Sequence, residues 1–385
     1  MRIGIFTDTY LPQVSGVATS IDVLRAELVK QGHLVYIFTT SDPKAQPDPF
    51  VIRFHSVPFV GFKERRIAFS GAVKAIRLAK KFRLDIVHTQ TEFSLGLMGR
   101  LVARRLRIPM IHTYHTMYER YLHYIFDGKL IKPKHVKELT RFYCDHTNAV
   151  VVPSELTKET LLDYGVKQQI FVVPTGVPIP DLDEVKREKV RQRLGYGSDT
   201  LVLLALSRLS QEKNTQAIIE QFPAILATEK KARLCIVGDG PDRPNLEKLV
   251  AERHLEPFVQ FTGEVSHDQA SDYYQMADVY INASDSETQG LTYIEALANN
   301  LPVIAKRNEY LEHIVQDRTM GVLFNGTNDL ARIASQFITE DLEAAKATKD
   351  SRMALRQSIS SELFGQKIVE IYRYALLNKE WKKRA

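Results

Sequence analysis

The sequence predicts an α/β fold with two parallel-sheet domains, and three observations support this prediction. The chain has 385 residues, 44% of them hydrophobic and 25% charged, which is enough for two hydrophobic cores. Short β-branched apolar runs alternate with amphipathic stretches, as in parallel strands joined by crossover helices. The alternation occurs on both sides of a proline-rich segment at residues 174–189. We therefore expect an N-terminal domain over residues 1–178 and a C-terminal domain over residues 179–364.

Each half contains six candidate strands. In the first half these are IGIFTDT, LVYIFTT, DIVHTQ, MIHTYH, AVVVPS and IFVVPTG, and in the second half they are LVLLALSRL, ARLCIVGDG, VQFTGEV, DVYINAS, LPVIAK and GVLF. The segment between the two sets, PTGVPIPDLDEVKREK, has three prolines and a charged run, and we interpret it as an interdomain linker. Open sheets of this kind bind ligands beyond the carboxyl ends of their strands, so we expect a ligand cleft there.

Composition and cysteine content argue against a secreted or membrane-spanning protein. The first apolar run is too short for a signal peptide and Asp8 interrupts it, and apolar residues nowhere run together for the length of a membrane span. The two cysteines, Cys144 and Cys235, have no CxxC or other metal-ligand spacing. We therefore expect two buried thiols in a cytoplasmic protein, without a disulfide framework or a zinc site.

Two loops after candidate strands carry residues suited to a phosphate group. Gly16 precedes a helix in the first half, where a backbone N–H can approach an anion, although most such loops contain a glycine. In the second half, SRLSQEKN offers Arg208 and Lys213, a bidentate fork and a point charge that suit a diphosphate; surface solvation is the alternative. The stretch VGDGP lacks the third glycine of a dinucleotide-binding loop, and we interpret it as a tight turn at a strand end.

Two acidic residues, Glu287 and Glu295, flank the sequence Gly290-Leu291-Thr292, which opens a helical run. The helix N-terminus favours an anion, whereas a carboxylate accepts hydrogen bonds from neutral donors such as sugar hydroxyls. A nucleotide sugar presents these groups in the order sugar, diphosphate, ribose. The structural alternative is that Glu287 caps the helix and Glu295 pairs with a nearby cation.

Together these motifs resemble the family 4 retaining glycosyltransferases, which have the GT-B fold of two Rossmann-like domains facing each other across a cleft. The resemblance covers essentially the whole chain and rests on FTDTYLPQVSGVATSI, SRLSQEKN, VGDGP and SETQGLTYIEALA. It implies the following roles: donor diphosphate near Gly16, phosphates bound by Arg208 and Lys213, sugar hydroxyls held by Glu287, and ribose held by Glu295. It also implies that the last helix, residues 365–385, packs back on the first domain.

A further stretch, HTYHTMYERYLHYI, resembles the bacterial members of the family that move glucose from UDP-glucose to the 3-hydroxyl of 1,2-diacylglycerol. His115 within it matches the active-site histidine of the wider family. The mechanism implied is retention at the anomeric carbon without an obvious protein nucleophile. The enzyme would position the lipid hydroxyl, while Arg208, Lys213 and the helix N-terminus at residues 290–292 neutralise the departing diphosphate.

The same stretch contains three histidines that resemble a set of metal ligands: His112, His115 and His123. No acid stands at ligand spacing from them and GT-B enzymes typically need no bound metal, so neither a metal nor another cofactor is expected. The chain departs from many relatives at Lys306-Arg307-Asn308, where those relatives carry a Gly-Gly pair. The sequence leaves open whether the donor sugar is glucose or galactose, and whether the acceptor is diacylglycerol or an already glycosylated lipid.

Other functions fit the sequence less well. A retaining glycosidase would need two carboxylates about 5 Å apart, whereas Glu287 and Glu295 are expected at opposite ends of a donor. A nucleic-acid binder would explain a basic first half but not two α/β halves with diphosphate loops, and no nucleic-acid partner is expected. The closest rival is a glycosyltransferase of the same family that acts on a teichoic-acid precursor or a soluble sugar.

The positive charge of the chain is concentrated in its first half. Residues 1–180 contain 25 Lys and Arg against 15 Asp and Glu, and residues 53–83 alone contain nine cations and one acid, interleaved with phenylalanines. On a helical wheel, one arc of roughly 120° contains the cations Arg66, Lys74, Arg77, Lys80 and Lys81. One interpretation is a solvated face over an ordinary core stripe. The other is an interfacial helix that docks on anionic lipid at the inner face of the cell membrane, with Phe59 and Phe62 as apolar anchors.

Overall fold

The computed structural model describes residues 1–13, 15–59, 62–115, 133–284, 290–347 and 351–378. The chain divides into two compact units, residues 1–176 with 361–385, and residues 177–360. The C-terminal helix therefore belongs to the first unit. It begins at Ser361, slightly earlier than the sequence predicts.

The strands are β1 (Arg2–Phe6), β2 (Leu34–Thr40), β3 (Val51–Phe54), β4 (Ser56–Phe59), β5 (Phe62–Ala68), β6 (Ile86–Thr89), β7 (Met110–Thr113), β8 (Ala149–Val152), β9 (Ile170–Val172), β10 (Leu201–Leu206), β11 (Ala232–Val237), β12 (Val259–Gly263), β13 (Val279–Asn282), β14 (Val303–Lys306) and β15 (Gly321–Phe324). The helices are α1 (Gly16–Lys30), α2 (Ala72–Phe82), α3 (Ser94–Leu106), α4 (Pro133–Asp145), α5 (Glu155–Asp163), α6 (Glu184–Leu194), α7 (Thr215–Thr228), α8 (Arg243–Glu252), α9 (His267–Met276), α10 (Leu291–Ala298), α11 (Glu309–Ile314), α12 (Thr327–Glu340), α13 (Leu342–Ala347), α14 (Ser351–Ser358) and α15 (Ser361–Leu377).

The first unit is built on a seven-stranded parallel sheet with the order β3-β2-β1-β6-β7-β8-β9. All six strands predicted from the sequence are present. The prediction missed β3 and the antiparallel pair β4–β5, because Arg53, Pro58 and the charged run at residues 63–66 interrupt their apolar patterns. The missed pair matters for the basic segment: Arg66 lies on β5 and not on helix α2, so the predicted helical arc of cations was wrong at this residue.

The second unit has a six-stranded parallel sheet with the order β12-β11-β10-β13-β14-β15. Its six strands match the predicted set. The predicted linker was wrong over its charged run, which forms the start of α6. The side chain of Asp183 accepts a hydrogen bond from the Lys186 N–H, and Gly195 ends the helix with a φ of 80°. A polar sequence therefore becomes a helix because both of its ends are capped.

Apolar residues cover both faces of each sheet and form the cores of the two units. Cys144 and Cys235 are both buried, as predicted. Burial raises the pKa of the Cys235 thiol to about 12, so this thiol stays protonated at neutral pH. No helix within the described ranges is long and apolar enough to cross a membrane.

The C-terminal helix α15 packs against α1 in the first unit. Ser361 Oγ donates a hydrogen bond of 2.8 Å to Glu27 Oε1. A Cβ atom on Gly365 would lie 2.8 Å from the Glu27 Cβ, so only glycine allows the two helices to approach this closely. Further along the helix, Tyr372 is fully buried, and its hydroxyl lies 2.8 Å from His88 Nδ1. The last helix therefore packs into the first unit through these polar contacts and through the apolar residues of its buried face.

A buried ion cluster fixes the start of β13 in the second unit. Asp278 is 5% exposed and contacts the cations Arg187, Arg191 and Lys346 at 2.9, 3.3 and 3.3 Å. Burial opposes ionisation of Asp278, but Lys346, the Val202 N–H and the two arginines hold the pKa of this carboxyl below its usual range. The ionised Asp278 carboxylate therefore contributes to the free energy of unfolding at pH values above its unfolded-state pKa. This contribution is lost as the pH falls through the folded-state pKa of Asp278.

Replacing Asp278 by Ala should lower the free energy of unfolding of the second unit by about 3–5 kcal/mol, because the buried guanidinium of Arg191 and the half-buried one of Arg187 lose their counter-charge. Chemical denaturation followed by circular dichroism measures this loss. Asp199→Ala is the matched control, since Asp199 pairs with Lys231 at the surface and its loss should leave the midpoint unchanged. Equal effects of the two variants would contradict the role given to the buried cluster.

Candidate functional site

Each sheet has a position at which the strand order reverses, and this is where open α/β sheets bind ligands. The reversal lies between β1 and β6 in the first unit and between β10 and β13 in the second. The loop after β10 carries Arg208 and Lys213, and the loop after β13 leads to α10. Ser284 Oγ on the second loop donates a hydrogen bond of 3.1 Å to the Glu212 carbonyl on the first. The structure therefore brings the predicted phosphate-binding cations and the α10 N-terminus to one edge of the sheet.

Two glycines support the loop that carries Arg208. A Cβ atom on Gly238 would lie 1.9 Å from the Ser207 carbonyl oxygen, and one on Gly240 would lie 2.2 Å from the Leu209 carbonyl oxygen. The loops are also joined by a 2.9 Å hydrogen bond from the Leu209 N–H to the Asp239 carbonyl. The VGDGP turn therefore presses its backbone directly against the residues on either side of Arg208. The sequence analysis identified the turn but missed this supporting role.

Lys213 ends a short 3-10 turn, Gln211–Lys213, that leads into α7. Ser210 Oγ donates a hydrogen bond of 2.7 Å to Glu212 Oε1 within this turn. Asn214 then adopts the left-handed conformation, with a φ of 51°, and α7 starts at Thr215. Asparagine tolerates this conformation better than most residues, which allows the chain to reverse tightly after Lys213.

The N-terminus of α10 carries the predicted residues Gly290, Leu291 and Thr292. Gly290 is buried and adopts the left-handed conformation, with a φ of 71°. It has no side chain, so the helix begins without a side-chain capping hydrogen bond. The first N–H groups of such a helix can bind an anion. Glu287 lies outside the described residues, so its predicted contact with the donor sugar stays a prediction.

Glu295 lies on α10 and is half-buried. Its Oε2 accepts a hydrogen bond of 2.8 Å from the hydroxyl of Tyr274 on α9. Burial and the neighbouring carboxylate of Glu295 raise the pKa of Tyr274 well above its usual value, so the phenol remains a donor. The contact fixes the orientation of the carboxylate. Sequence reasoning missed Tyr274, because a tyrosine on an amphipathic helix is normally a core residue.

Buried polar side chains hold the end of β13 in place. Asn282 is 4% exposed; its Oδ1 accepts hydrogen bonds from the Tyr293 hydroxyl at 3.0 Å and from the Ser284 N–H at 2.7 Å. Its Nδ2 donates to the Tyr280 hydroxyl at 2.9 Å. These bonds connect the strand, the following loop and α10. The signal for this network was a single asparagine inside the apolar run DVYINAS, which the sequence analysis did not single out.

The loop after β14 contains Lys306-Arg307-Asn308, the departure from many relatives. The Asn308 side chain accepts a hydrogen bond of 2.9 Å from the Leu311 N–H and caps α11. The Arg307 guanidinium donates to Asn325 at 2.8 Å and to Glu312 at 2.9 Å. The Arg307 charge is thus already paired within this loop region.

In the first unit, Gly16 is the first residue of α1, as predicted, and the Ser15 side chain caps this helix by accepting from the Ala18 N–H. The neighbouring α3 N-terminus is occupied by the carboxylate of Asp8, which is 5% exposed. This carboxylate accepts hydrogen bonds from the Thr91 hydroxyl at 2.6 Å, from the Ser94 hydroxyl, and from the Leu95 N–H at 3.0 Å. Burial raises the pKa of the Asp8 carboxyl. The end of β1 is therefore fixed to α3 by a buried hydrogen-bond network that sequence reasoning missed.

His115 follows β7 and is half-buried, and its Nε2 lies 2.6 Å from Gln90 Oε1. Burial, with a smaller contribution from His112, lowers the pKa of His115 to about 3, so the ring is neutral at physiological pH. His112 itself lies 3.0 Å from the buried Glu92 carboxylate. His123 lies outside the described residues, and the part of the chain that the structure describes contains no cluster of metal-ligating residues.

The basic face predicted for residues 66–81 is divided between two elements. The Arg66 guanidinium donates to the Ser56 hydroxyl at 3.0 Å and to the Ser56 carbonyl at 2.6 Å, so it is committed to the β4–β5 pair. The other four cations lie exposed on α2: Lys74, Arg77, Lys80 and Lys81. Ala75 and Ala79 are buried on the opposite face. The side chains of Phe59 and Phe62 lie outside the described part of the chain.

Comparison with known proteins identifies relatives over the full length. The family model described as Glycosyltransferase Family 4 matches residues 14–179, and the model described as Glycosyl transferases group 1 matches residues 186–354. The chain is 44% identical to an alpha-monoglucosyldiacylglycerol synthase of Streptococcus pneumoniae, over 100% of this chain and 88% of that protein. It is 33% identical to an alpha-monoglucosyldiacylglycerol synthase of Acholeplasma laidlawii, over 86% of this chain and 87% of that protein.

The fold is shared with a solved structure, Anabaena HepE in complex with UDP and glucose. The two structures superpose with a TM-score of 0.77, covering 97% of this chain and 99% of HepE. Sequence identity is only 17%, so this likeness concerns the fold alone.

Replacing Arg208 or Lys213 by Ala should weaken the binding of UDP, a soluble diphosphate probe. Losing a hydrogen bond to a charged group costs about 1.5–3 kcal/mol, or roughly ten- to hundredfold in Kd. Isothermal titration calorimetry measures the affinity. Arg307→Ala is the matched control. It removes an arginine that lies at the same edge of the sheet and whose guanidinium is paired with Glu312. Unchanged UDP affinity in both test variants would place the diphosphate elsewhere.

Proposed function

The chain belongs to the family 4 glycosyltransferases, with the GT-B architecture of two Rossmann-like domains, and from this premise we propose that it transfers glucose from UDP-glucose to 1,2-diacylglycerol. The product is α-monoglucosyldiacylglycerol. The observation that carries the proposal is the 44% identity, over 100% of this chain, to an alpha-monoglucosyldiacylglycerol synthase. Because the glucose of UDP-glucose is α-linked, an α-linked product means that the configuration at the anomeric carbon is retained.

The second unit supplies the charge that this reaction needs. When the glycosidic bond to UDP breaks, negative charge develops on the leaving diphosphate. Arg208, Lys213 and the N–H groups at the start of α10 form a preorganised set of donors for that charge. These groups could serve in place of a divalent cation, and we propose that the reaction requires neither a bound metal nor another cofactor.

The two acidic residues of the E-x7-E motif accept hydrogen bonds and do not bind the phosphates. Glu295, oriented by the Tyr274 hydroxyl at 2.8 Å, is suited to accept hydrogen bonds from the ribose hydroxyls. Glu287 takes the hydroxyls of the glucose. In this arrangement each carboxylate binds a neutral polyol, and Arg208 and Lys213 bind the diphosphate that joins the two polyols.

A lipid acceptor requires the enzyme to reach a membrane surface, and α2 offers a surface for this contact. Lys74, Arg77, Lys80 and Lys81 are exposed on the helix, and Phe69 and Val73 beside them are 64% and 61% exposed. Each cation near an anionic surface contributes on the order of 1 kcal/mol. We propose that this helix docks reversibly on anionic lipid, so that the enzyme acts as a peripheral protein at the inner face of the cell membrane.

The proposed activity is tested by incubating the purified protein with radiolabelled UDP-glucose and diacylglycerol in mixed micelles, followed by thin-layer chromatography. We expect one labelled glycolipid, hydrolysed by an α-glucosidase and not by a β-glucosidase. Parallel reactions with UDP-galactose, monoglucosyldiacylglycerol and a soluble sugar acceptor should give little product. Preferential use of any of these would replace the proposed donor or acceptor, and release of free glucose alone would indicate hydrolysis.

Membrane binding should depend on the α2 cations and on salt. We expect the protein to co-sediment with phosphatidylglycerol liposomes at low ionic strength and to dissociate at high ionic strength. The variant Lys74→Gln, Arg77→Gln, Lys81→Gln should lose this binding and keep its UDP affinity. The matched control removes three exposed cations from the second unit, Lys230→Gln, Lys248→Gln and Arg332→Gln, and should still sediment. Full binding by the α2 variant would move the membrane contact to another surface.

A further inference from the structure

A chain of buried contacts in the first unit connects the last helix to His115. The Tyr372 hydroxyl lies 2.8 Å from His88 Nδ1, and the amide nitrogen of Gln90 lies 3.1 Å from His88 Nε2. The side-chain amide oxygen of Gln90, Oε1, lies 2.6 Å from His115 Nε2. Gln90 is only 3% exposed, so its amide is surrounded by protein.

The surroundings of Gln90 determine which way its amide points. Its nitrogen lies 3.1 Å from His88 Nε2 and 3.4 Å from His88 Nδ1. If the Gln90 amide nitrogen lay in the plane of the His88 ring at these distances from both ring nitrogens, it would collide with the Cε1 atom between them. The amide nitrogen therefore lies over the ring face, where an N–H group is attracted to the π electrons and a carbonyl oxygen would be repelled. The carbonyl oxygen of Gln90 consequently faces His115.

The His88 ring is itself fixed. Its Nε2 lies 2.7 Å from the Thr113 hydroxyl, its Nδ1 lies 2.8 Å from the Tyr372 hydroxyl, and it is fully buried. Burial, with the nearby His112 and His115, lowers the pKa of His88 well below its usual value. The neutral His88 ring, held at both of its nitrogens, therefore fixes the position of the Gln90 amide.

A carbonyl oxygen can only accept a hydrogen bond, so the proton on His115 lies on Nε2. Because the ring is neutral, Nδ1 carries a lone pair and no proton. Within the described residues, the structure gives Nδ1 no hydrogen-bond partner. His115 is half-buried and follows the carboxyl end of β7, the edge at which a parallel sheet binds its ligands.

We infer that Gln90 is a positioning residue that holds His115 in the Nε2–H tautomer, so that His115 Nδ1 accepts a hydrogen bond from a substrate hydroxyl. The imidazole then recognises an O–H group of the sugar or of the glycerol as a neutral acceptor. Tyr372 and His88 contribute by fixing Gln90. The kinetic part of the test rests on the proposed glucosyltransferase function, whereas the tautomer itself is independent of it.

The direct test is the ¹⁵N–¹H correlation spectrum of the imidazole groups in the full-length protein labelled with ¹⁵N-histidine. The His115 signals are identified by their absence from the spectrum of His115→Asn. In the unchanged protein we expect a protonated Nε2 and an unprotonated Nδ1. Gln90→Glu keeps an acceptor at the same distance and should keep Nε2 protonated, while Gln90→Leu removes the acceptor and should give a mixed or reversed tautomer. An Nδ1–H pattern in the unchanged protein, or an unaltered pattern in Gln90→Leu, would overturn the inference.

Kinetics distinguish positioning from simple packing. Removing a partner that orients a functional histidine typically costs on the order of tenfold to hundredfold in activity, and we expect this loss in kcat for Gln90→Leu, with the KM for UDP-glucose nearly unchanged. The carboxylate of Gln90→Glu favours a charged His115 ring, so this variant should regain activity as the pH rises and Nδ1 loses its proton, whereas Gln90→Leu should not. Equal losses in both variants at every pH would mean that the side chain acts by packing alone and would overturn the inference. If the unchanged protein makes no glycolipid, the proposed function fails, and the spectra still decide the tautomer.

Discussion

The parallel arrangement of the strands is the constraint on which the rest of the structure depends, because it places every strand's carboxyl end at one edge of its sheet. In both units the residues that follow the central strands are therefore forced together, although they are far apart in sequence. Polar groups that meet in this way must satisfy one another when they are buried. Asp8 in the first unit and Asn282 in the second do so by joining the end of a strand to the start of a helix.

These hydrogen-bond networks hold the loops at the carboxyl edge of each sheet in fixed positions. The Asp8 carboxyl group accepts hydrogen bonds from the start of α3, so this helix end already has an acceptor and the strand end is held against it. In the second unit, Gly238 and Gly240 let one loop press against the backbone beside Arg208. A cation held by rigid backbone loses little conformational freedom when it binds a phosphate, which favours binding and catalysis.

The sequence predicted the two parallel sheets, twelve of their thirteen strands and the positions of Arg208, Lys213, Gly290 and Glu295, because periodicity and loop chemistry are local signals. It did not predict β3 or the β4–β5 pair, since charged residues or a proline interrupt the apolar pattern of these segments. The helical wheel consequently included Arg66, which the structure places on β5. Contacts between distant residues, such as Tyr274 with Glu295 and Gln90 with His115, arise from tertiary packing and leave no pattern in the sequence.

In the proposed reaction the two units divide the chemistry according to charge. In the second unit, Arg208, Lys213 and the start of α10 lie at one edge of the sheet, a combination suited to a diphosphate and poorly suited to a neutral hydroxyl. In the first unit, His115 and His88 are neutral because burial removes the solvent that would stabilise their charged forms. A protonated His115 could no longer accept a hydrogen bond from an alcohol. Burial of the histidines is thus the physical reason that the first unit offers a neutral acceptor, as the proposed recognition of a substrate hydroxyl requires.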